Sequence, residues 1–372
     1  MREKKSTLEL AQENAQAAID RTNKMIEELG NYTNTLCSTL NDIQECFDRI
    51  RNVPTEKKLK CDELKGIRLN WKQQAKKIER DYAAATVKKA GAGVAGLGTG
   101  VAVAALGPSA AMGVATTFGV ASTGAAISAL SGAAATNAAL AWLGGGVLTA
   151  GGGGMAAGKA ILALAGSTGW AIAGVALVAS GFALVKSWTD EKKIGDVFAS
   201  ISNRDVHSYE LAIIELHERI KRIGGENKLL MDAIQSIKQF GQDYNAMTEA
   251  QQYELGCYVN FMNASTQLLV NPISGLQPRF SEKQLKEFLS QRAESNEEAV
   301  PDELKPLVLA LTNLLYKVDL DRSSKHLLYK AFCGNKNFLE EMGIDKKIFT
   351  ENIMDVVEDA LFYSYSADGQ PS

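Results

Sequence analysis

The sequence predicts an all-α protein: long coiled-coil helices flanking a Gly/Ala-rich transmembrane helical block, plus a C-terminal helical domain. Three observations carry that expectation. No Asp, Glu, Lys, Arg or His occurs between Lys89 and Lys159, or between Lys159 and Lys186. Apolar residues at heptad spacing run along both flanks of this region. No segment alternates apolar and polar residues as a half-buried strand does. The uncharged runs hold 69 and 26 residues, whereas a bilayer-spanning helix needs only about 20. They also contain 22 of the chain's 33 glycines. A stretch this long without charge is either buried in protein or lies in lipid. Small residues let helix backbones approach closely, as they do where helices pack in a membrane.

Four regions follow from this reading: 1–89, 90–187, 188–246 and 247–372. In the first, Ala15, Ile19, Thr22, Ile26, Leu29, Thr33, Leu36, Leu40, Ile43, Phe47 and Ile50 alternate steps of four and three. That is the seam of a coiled coil. Asn52-Val53-Pro54-Thr55 ends it, because proline lacks the helical donor and restricts the residue before it. Thr55 and Glu56 then open a second helix with Leu64, Ile67, Trp71, Ile78 and Tyr82 on its apolar side. A second seam runs through Ile213, Leu216, Ile220, Ile223, Asn227, Leu230, Ile234, Ile237, Gly241 and Tyr244. The expected geometry is a hairpin or bundle of long helices with the apolar block at its tip. The seams pair either within one chain or between chains, and a homo-oligomer is expected. Asn227 either fixes register or is an incidental polar position.

The apolar block splits at Gly107-Pro108, Gly144–Gly146, Gly151–Gly154 and Gly166–Gly169, which leaves candidate helices over 90–106, 109–143, 155–165 and 170–187. Only the second is long enough to span alone at 1.5 Å per residue; the last two reach that length if they join across Gly166. Lys88 and Lys89 precede the block, and Lys186, Lys192 and Lys193 follow it. By the positive-inside rule both flanks stay in the cytoplasm, which implies an even number of crossings. Met1–Ser6 lead into a polar helix without an apolar signal segment.

Residues 247–372 carry 12 Lys/Arg against 19 Asp/Glu, and Pro272, Pro278, Pro301 and Pro306 punctuate them. Helices are expected over Ser281–Arg292, Asp302–Tyr316 and Lys346–Tyr363, with Ser281-Glu282-Lys283-Gln284 as a capping box. Ser364–Ser372 reads as a frayed tail.

No catalytic or metal constellation emerges, and no cofactor is expected. Cys37, Cys46, Cys61, Cys257 and Cys333 include no Cys-x-x-Cys pair. His207, His217 and His326 stand apart from any ligand cluster. Gly153–Ala160 lacks the phosphate-loop spacing, since Ala160 follows Lys159. Gly91–Gly96 matches a dinucleotide fingerprint by letters, but it follows a basic helix and not a strand.

Two patterns point to partners instead. Ser109, Thr116, Thr123, Leu130 and Asn137 fall seven apart along the longest uncharged helix. In an oligomer this stripe faces a water-filled pore; singly, each hydroxyl or amide serves a neighbouring helix or its own backbone. Residues 49–89 hold 13 Lys/Arg against 5 Asp/Glu. Lys65, Arg68, Lys72 and Lys76 stack on one helical face, and Lys57, Lys58 and Lys60 precede them. Such a face either meets phosphates, as an anionic ligand or lipid surface, or is an ordinary solvated helix face.

The run Ala135-Thr136-Asn137-Ala138-Ala139-Leu140-Ala141-Trp142-Leu143-Gly144-Gly145-Gly146, followed by Gly151–Ala156, resembles a Gly/Ala-rich block of bacterial membrane proteins. Between two heptad arms, it looks like the membrane effectors of bacterial anti-phage systems, in particular the channel effector of the Hailong type. The resemblance covers roughly residues 90–190 and is compositional. It implies a homo-oligomeric ion channel in the bacterial inner membrane, both termini cytoplasmic. It further implies opening by a nucleotide or oligonucleotide from a partner nucleotidyltransferase, so that the membrane depolarises. Two other classes fit the same features: a soluble-to-membrane α-helical pore-forming toxin, and a non-pore scaffold whose apolar block is buried in an assembly.

Overall fold

The first heptad seam folds as one long helix, α1 (Thr7–Asp48), in a computed structural model of the chain. The structure describes residues 7–91, 108–118, 188–276, 279–280, 282–295, 297–334 and 344–368. From Ala15 to Phe47 every described seam side chain is buried. Its two polar members are satisfied locally: Thr22 donates to the Ala18 carbonyl at 2.8 Å and Thr33 to that of Gly30 at 3.1 Å. Chain reversal follows through Asn52, whose φ of 61° is left-handed. Pro54 precedes α2 (Thr55–Gly91), which buries Leu64, Ile67 and Trp71 as its apolar spacing requires. The break at Gly107-Pro108 opens α3 (Pro108–Phe118).

The second seam lies on α4 (Trp188–Gln239), about 78 Å long at 1.5 Å per residue, as far as Ile237; its last expected members fall beyond the helix, Gly241 with a left-handed φ of 85° and Tyr244 in a short 3-10 turn. Helices α1 and α4 run parallel. A Cβ built on Gly195 would meet the Leu8 side chain at 3.8 Å, and one on Gly224 would meet Tyr32 at 3.6 Å. At the far end the Arg51 amide donates to the Gln242 carbonyl at 2.9 Å, and the Tyr244 amide to the Arg51 carbonyl at 3.0 Å. The seams thus pair within one chain.

A fourth long helix, α5 (Glu249–Val270), runs back against α4. Thr248 caps it in a reciprocal box with Gln251. Ser265 donates to Glu226 at 3.0 Å, and Arg219 reaches the Leu268 carbonyl at 2.9 Å. Helices α1, α2, α4 and α5 enclose one core with α3 inserted in it. Sequence reading grouped Glu249–Val270 with the acidic C-terminal region, yet its apolar side chains belong to this bundle core.

A second core forms from α6 (Glu282–Glu294), α7 (Lys305–Leu315), α8 (Arg322–Gly334), α9 (Asn352–Asp368) and the first turns of α4. The expected helix from Lys346 starts later, because Asp345 anchors a turn whose carbonyl accepts from the Ile348 amide at 3.0 Å. Residue 281, the expected cap of α6, lies outside the described residues. Buried Asn313 pins the entry to α6: its Oδ1 accepts from the Arg279 and Phe280 amides, both at 2.9 Å, and its amide donates to the Phe280 carbonyl at 2.8 Å. Every named element is helical, and among the described residues there is no strand. No described helix is long and apolar enough to cross a membrane.

Arg204 ties the two cores together. It donates to the Leu314 and Tyr316 carbonyls at the end of α7 and grips Asp205 at 2.7 and 2.9 Å. Asp205 is fully buried and its Oδ2 has no partner. Burial, only partly offset by Arg204 and Arg279, pushes its carboxyl up to about 6.

Two predictions follow from this packing. A Cβ at Gly113 would stand 1.9 Å from the Ile26 carbonyl oxygen, whereas one at Gly66 meets nothing within 4 Å. Gly113→Ala is expected to destabilise by about 1–3 kcal/mol through overpacking, and Gly66→Ala to stabilise by about 0.5–1 kcal/mol through helix propensity; urea unfolding checks both. Asp205 binds its proton more tightly folded than unfolded, so its contribution to stability is full below about pH 4 and is lost as pH rises to about 6. The carboxyls of Asp243, Asp302 and Asp321 are held below their usual value by hydrogen bonds, so their opposing effect falls below that window. The urea midpoint should therefore decline from pH 4 to 6, and Asp205→Asn should flatten the decline.

Candidate functional site

The seat of α3 is where the uncharged block meets the bundle. Ala111, Gly113, Val114, Ala115, Thr116 and Thr117 are all buried in the core shared with α1, α2 and α5. Close approach is possible because Gly113 lets the α3 backbone lie directly on that of Ile26 and Gly30. Two hydrogen bonds hold the helix in place. The buried Trp71 indole donates to Thr116 Oγ1 at 3.2 Å, and the Ile273 amide donates to the Thr117 carbonyl at 2.8 Å. The loop carrying Ile273 is fastened to α4 in turn, since Glu215 accepts from the Ser274 amide at 2.8 Å. Thr117 Oγ1 is buried without a partner.

Thr116, expected on a pore-facing stripe, thus points into the core of the single chain and serves Trp71. Ser109 lies in α3, but its side chain is outside the described residues, as are Thr123, Leu130 and Asn137 altogether.

The basic helix divides into roles the sequence does not separate. Lys57 is structural: its Nζ donates to Tyr244 Oη at 3.1 Å and to the Gln252 carbonyl at 3.2 Å, and sits 5.2 Å from the Tyr244 ring centre. Lys60 reaches Asn260 Oδ1 at 3.4 Å and Lys65 reaches Asp48 at 3.4 Å, both at the surface. Lys58 and Lys76 are exposed and Lys72 is half-buried. Arg68 departs from the expected stripe. It is 2% exposed, because it follows Leu64 by four and precedes Trp71 by three, on the buried sector of the helix. Its guanidinium donates to Gln44 Oε1 at 3.0 Å and to Thr266 Oγ1 at 3.3 Å, while its Nε has no partner.

Around this arginine lie two buried thiols. Burial holds Cys61 up to about 11 and also raises Cys37, in spite of the Lys72 and Arg68 charges. Both remain protonated at neutral pH, and a thiol is a weak nucleophile in that form. Among the described residues no group of three or more His, Cys, Asp or Glu is placed to hold a metal.

The sequence marks Trp71 as apolar and Thr116 as polar, but nothing in it couples them. Sequence reading passed over the Thr248–Gln251 cap of α5, although Thr-x-x-Gln is the spacing of a capping box. No protein-family model, curated protein or solved structure matches the chain.

Thr116→Val should cost about 1–3 kcal/mol by leaving the Trp71 N–H buried and unpaired. Trp71→Phe combined with Thr116→Val should cost less than the two single changes summed, and a double-mutant cycle in urea measures that coupling.

Proposed function

We propose that this chain is a pore-forming effector that passes from a closed, water-compatible bundle to an oligomeric membrane pore. The observation that carries the reading is the seat of α3. A segment from the middle of an uncharged run is stored inside a bundle of charged amphipathic helices, where its apolar surface is shielded from water. A segment stored this way is available to lipid only after it leaves α1 and α2. Its small residues suit both settings, since Gly and Ala permit close helix packing in a protein core and in a bilayer alike. Long helices able to re-pair between chains would supply the oligomer, and depolarisation of the target membrane is the outcome expected of such a pore, as in anti-phage defence.

A bacterial inner-membrane channel with both flanks of the block in the cytoplasm is the second reading, favoured by the lysines at 88–89 and 186–193. There the bundle would be the cytoplasmic part, and α3 docking would mark the closed state. Fractionation separates the two. The first expects protein from the soluble fraction without detergent; the second expects it in membranes from synthesis onward.

The decisive experiment is release of a trapped dye from lipid vesicles by purified protein. Release is expected, and Thr116→Val should accelerate it, because the change loosens α3 while leaving it at least as apolar. Absence of release would sink the reading, and absence of membrane association as well would leave a scaffold role. Slower release by Thr116→Val would show that leaving the bundle is not the step that limits insertion.

A further inference from the structure

We propose that the basic face of α2 is a docking surface for an anionic lipid bilayer, and that Arg68 is a withheld member of it. In the closed chain Arg68 is tucked between α1 and α5; it is delivered to headgroup phosphates when α2 swings away. The inference rests on the pore-forming reading and names the surface that such a protein meets first.

The face is defined by Lys58, Lys65, Leu69, Lys72 and Lys76, in steps of seven, four, three and four along one side of the helix. Leu69 is 53% exposed amid these lysines. Leu69 adds a single apolar side chain beside these cations, so attraction to a headgroup layer is carried by charge, at about 1 kcal/mol for each basic residue near the surface. Three carboxylates neighbour the four lysines, within a stretch, residues 49–89, that holds 13 Lys/Arg against 5 Asp/Glu. Asp48 of α1 takes Lys65 at a surface distance of 3.4 Å, and Asp62 and Glu79 border the stripe. Charge complementarity therefore selects an anionic partner. The lysines follow one another in a line along the helix, which matches a sheet of phosphates.

Arg68 sits between Lys65 and Lys72 in sequence but faces inward. Only neutral atoms bond it, those of Gln44 and Thr266, and its Nε is unpartnered. Asp48, a carboxylate whose charge acts on it, is linked to it through Gln44, which donates to Asp48 Oδ1 at 3.0 Å. A buried guanidinium without a direct carboxylate weakens the structure that holds it. Phosphate oxygens satisfy the same fork bidentately. Withdrawal of Arg68 thus biases α2 toward release wherever phosphates are dense.

Flotation with vesicles of phosphatidylcholine, alone or mixed with phosphatidylglycerol, tests the docking. The chain is expected on the mixed vesicles only, with binding that weakens in high salt. Lys65→Gln, Lys72→Gln and Lys76→Gln together should reduce partitioning about a hundredfold, near fivefold for each cation. Equal binding to both vesicle types overturns the proposal. So does tight binding of a short oligonucleotide that the triple variant loses while its vesicle binding persists. Arg68→Met tests the withheld cation: a higher urea midpoint and dye release slowed about tenfold are expected, with Arg68→Lys restoring release. A lower midpoint with unchanged release makes Arg68 a structural residue and overturns its delivery. Flotation on anionic vesicles without dye release would refute the pore and keep the docking surface. Equal dye release from both vesicle types would refute the docking surface and keep the pore.

Discussion

Parallel pairing of α1 with α4 is the constraint on which the bundle rests. Two helices pointing the same way cannot be joined by a turn, so the chain must travel back before the second begins. Helix α2 makes that return, and the uncharged block lies between its end and the start of α4. Tyr32 beside Gly224 and Arg51 beside Asp243 are each 192 positions apart, whereas Leu8 beside Gly195 is 187 apart, so the register shifts between the two ends of the pair. Helix α5 then packs against α2, α4 and α1, and α3 fills the gap left between α1 and α2.

This arrangement explains what the sequence discloses and what it hides. Heptad spacing marks the buried face of α1, where every described seam side chain from Ala15 to Phe47 agrees; on α4 it holds for Leu216, Ile220, Ile223, Leu230, Ile234 and Ile237, while Ile213 and Asn227 are only half-buried. Spacing carries no direction, however, so a parallel pair within one chain and a pair between chains read alike. Proline positions locate the starts of α2 and α3 because a missing amide hydrogen acts locally. Arg68 is misread for the opposite reason: its letter says surface, while its angular position beside Leu64 and Trp71 says core. The basic stripe was legible, apart from the one member whose surroundings lie 24 and 198 residues away, at Gln44 and Thr266. The seat of α3 was illegible too, since a run of Ala, Gly, Val and Thr has the same composition whether protein or lipid covers it.

Polar groups in both cores repeat one theme. Asn313 is fully engaged and fixes a chain direction at no evident cost. Asp205, Arg68 and Thr117 each keep an unpartnered buried atom, and each stands where one part of the molecule meets another: α4 with α7, α2 with α1 and α5, α3 with the bundle. Unsatisfied atoms at such joints weaken the joints more than the elements.

The 192-residue separation also sets a timetable for synthesis. At about 5–20 residues per second, α1 emerges from the ribosome roughly 10–40 s before its α4 partner residues exist. During that interval Ile26, Leu29, Leu36, Leu40 and Ile43, all fully buried later, have only α2 and α3 to cover them. The nascent chain thus carries an uncovered apolar ridge and an uncharged block at the same time. Whatever shelters the two until α4 arrives determines whether the closed bundle forms at all.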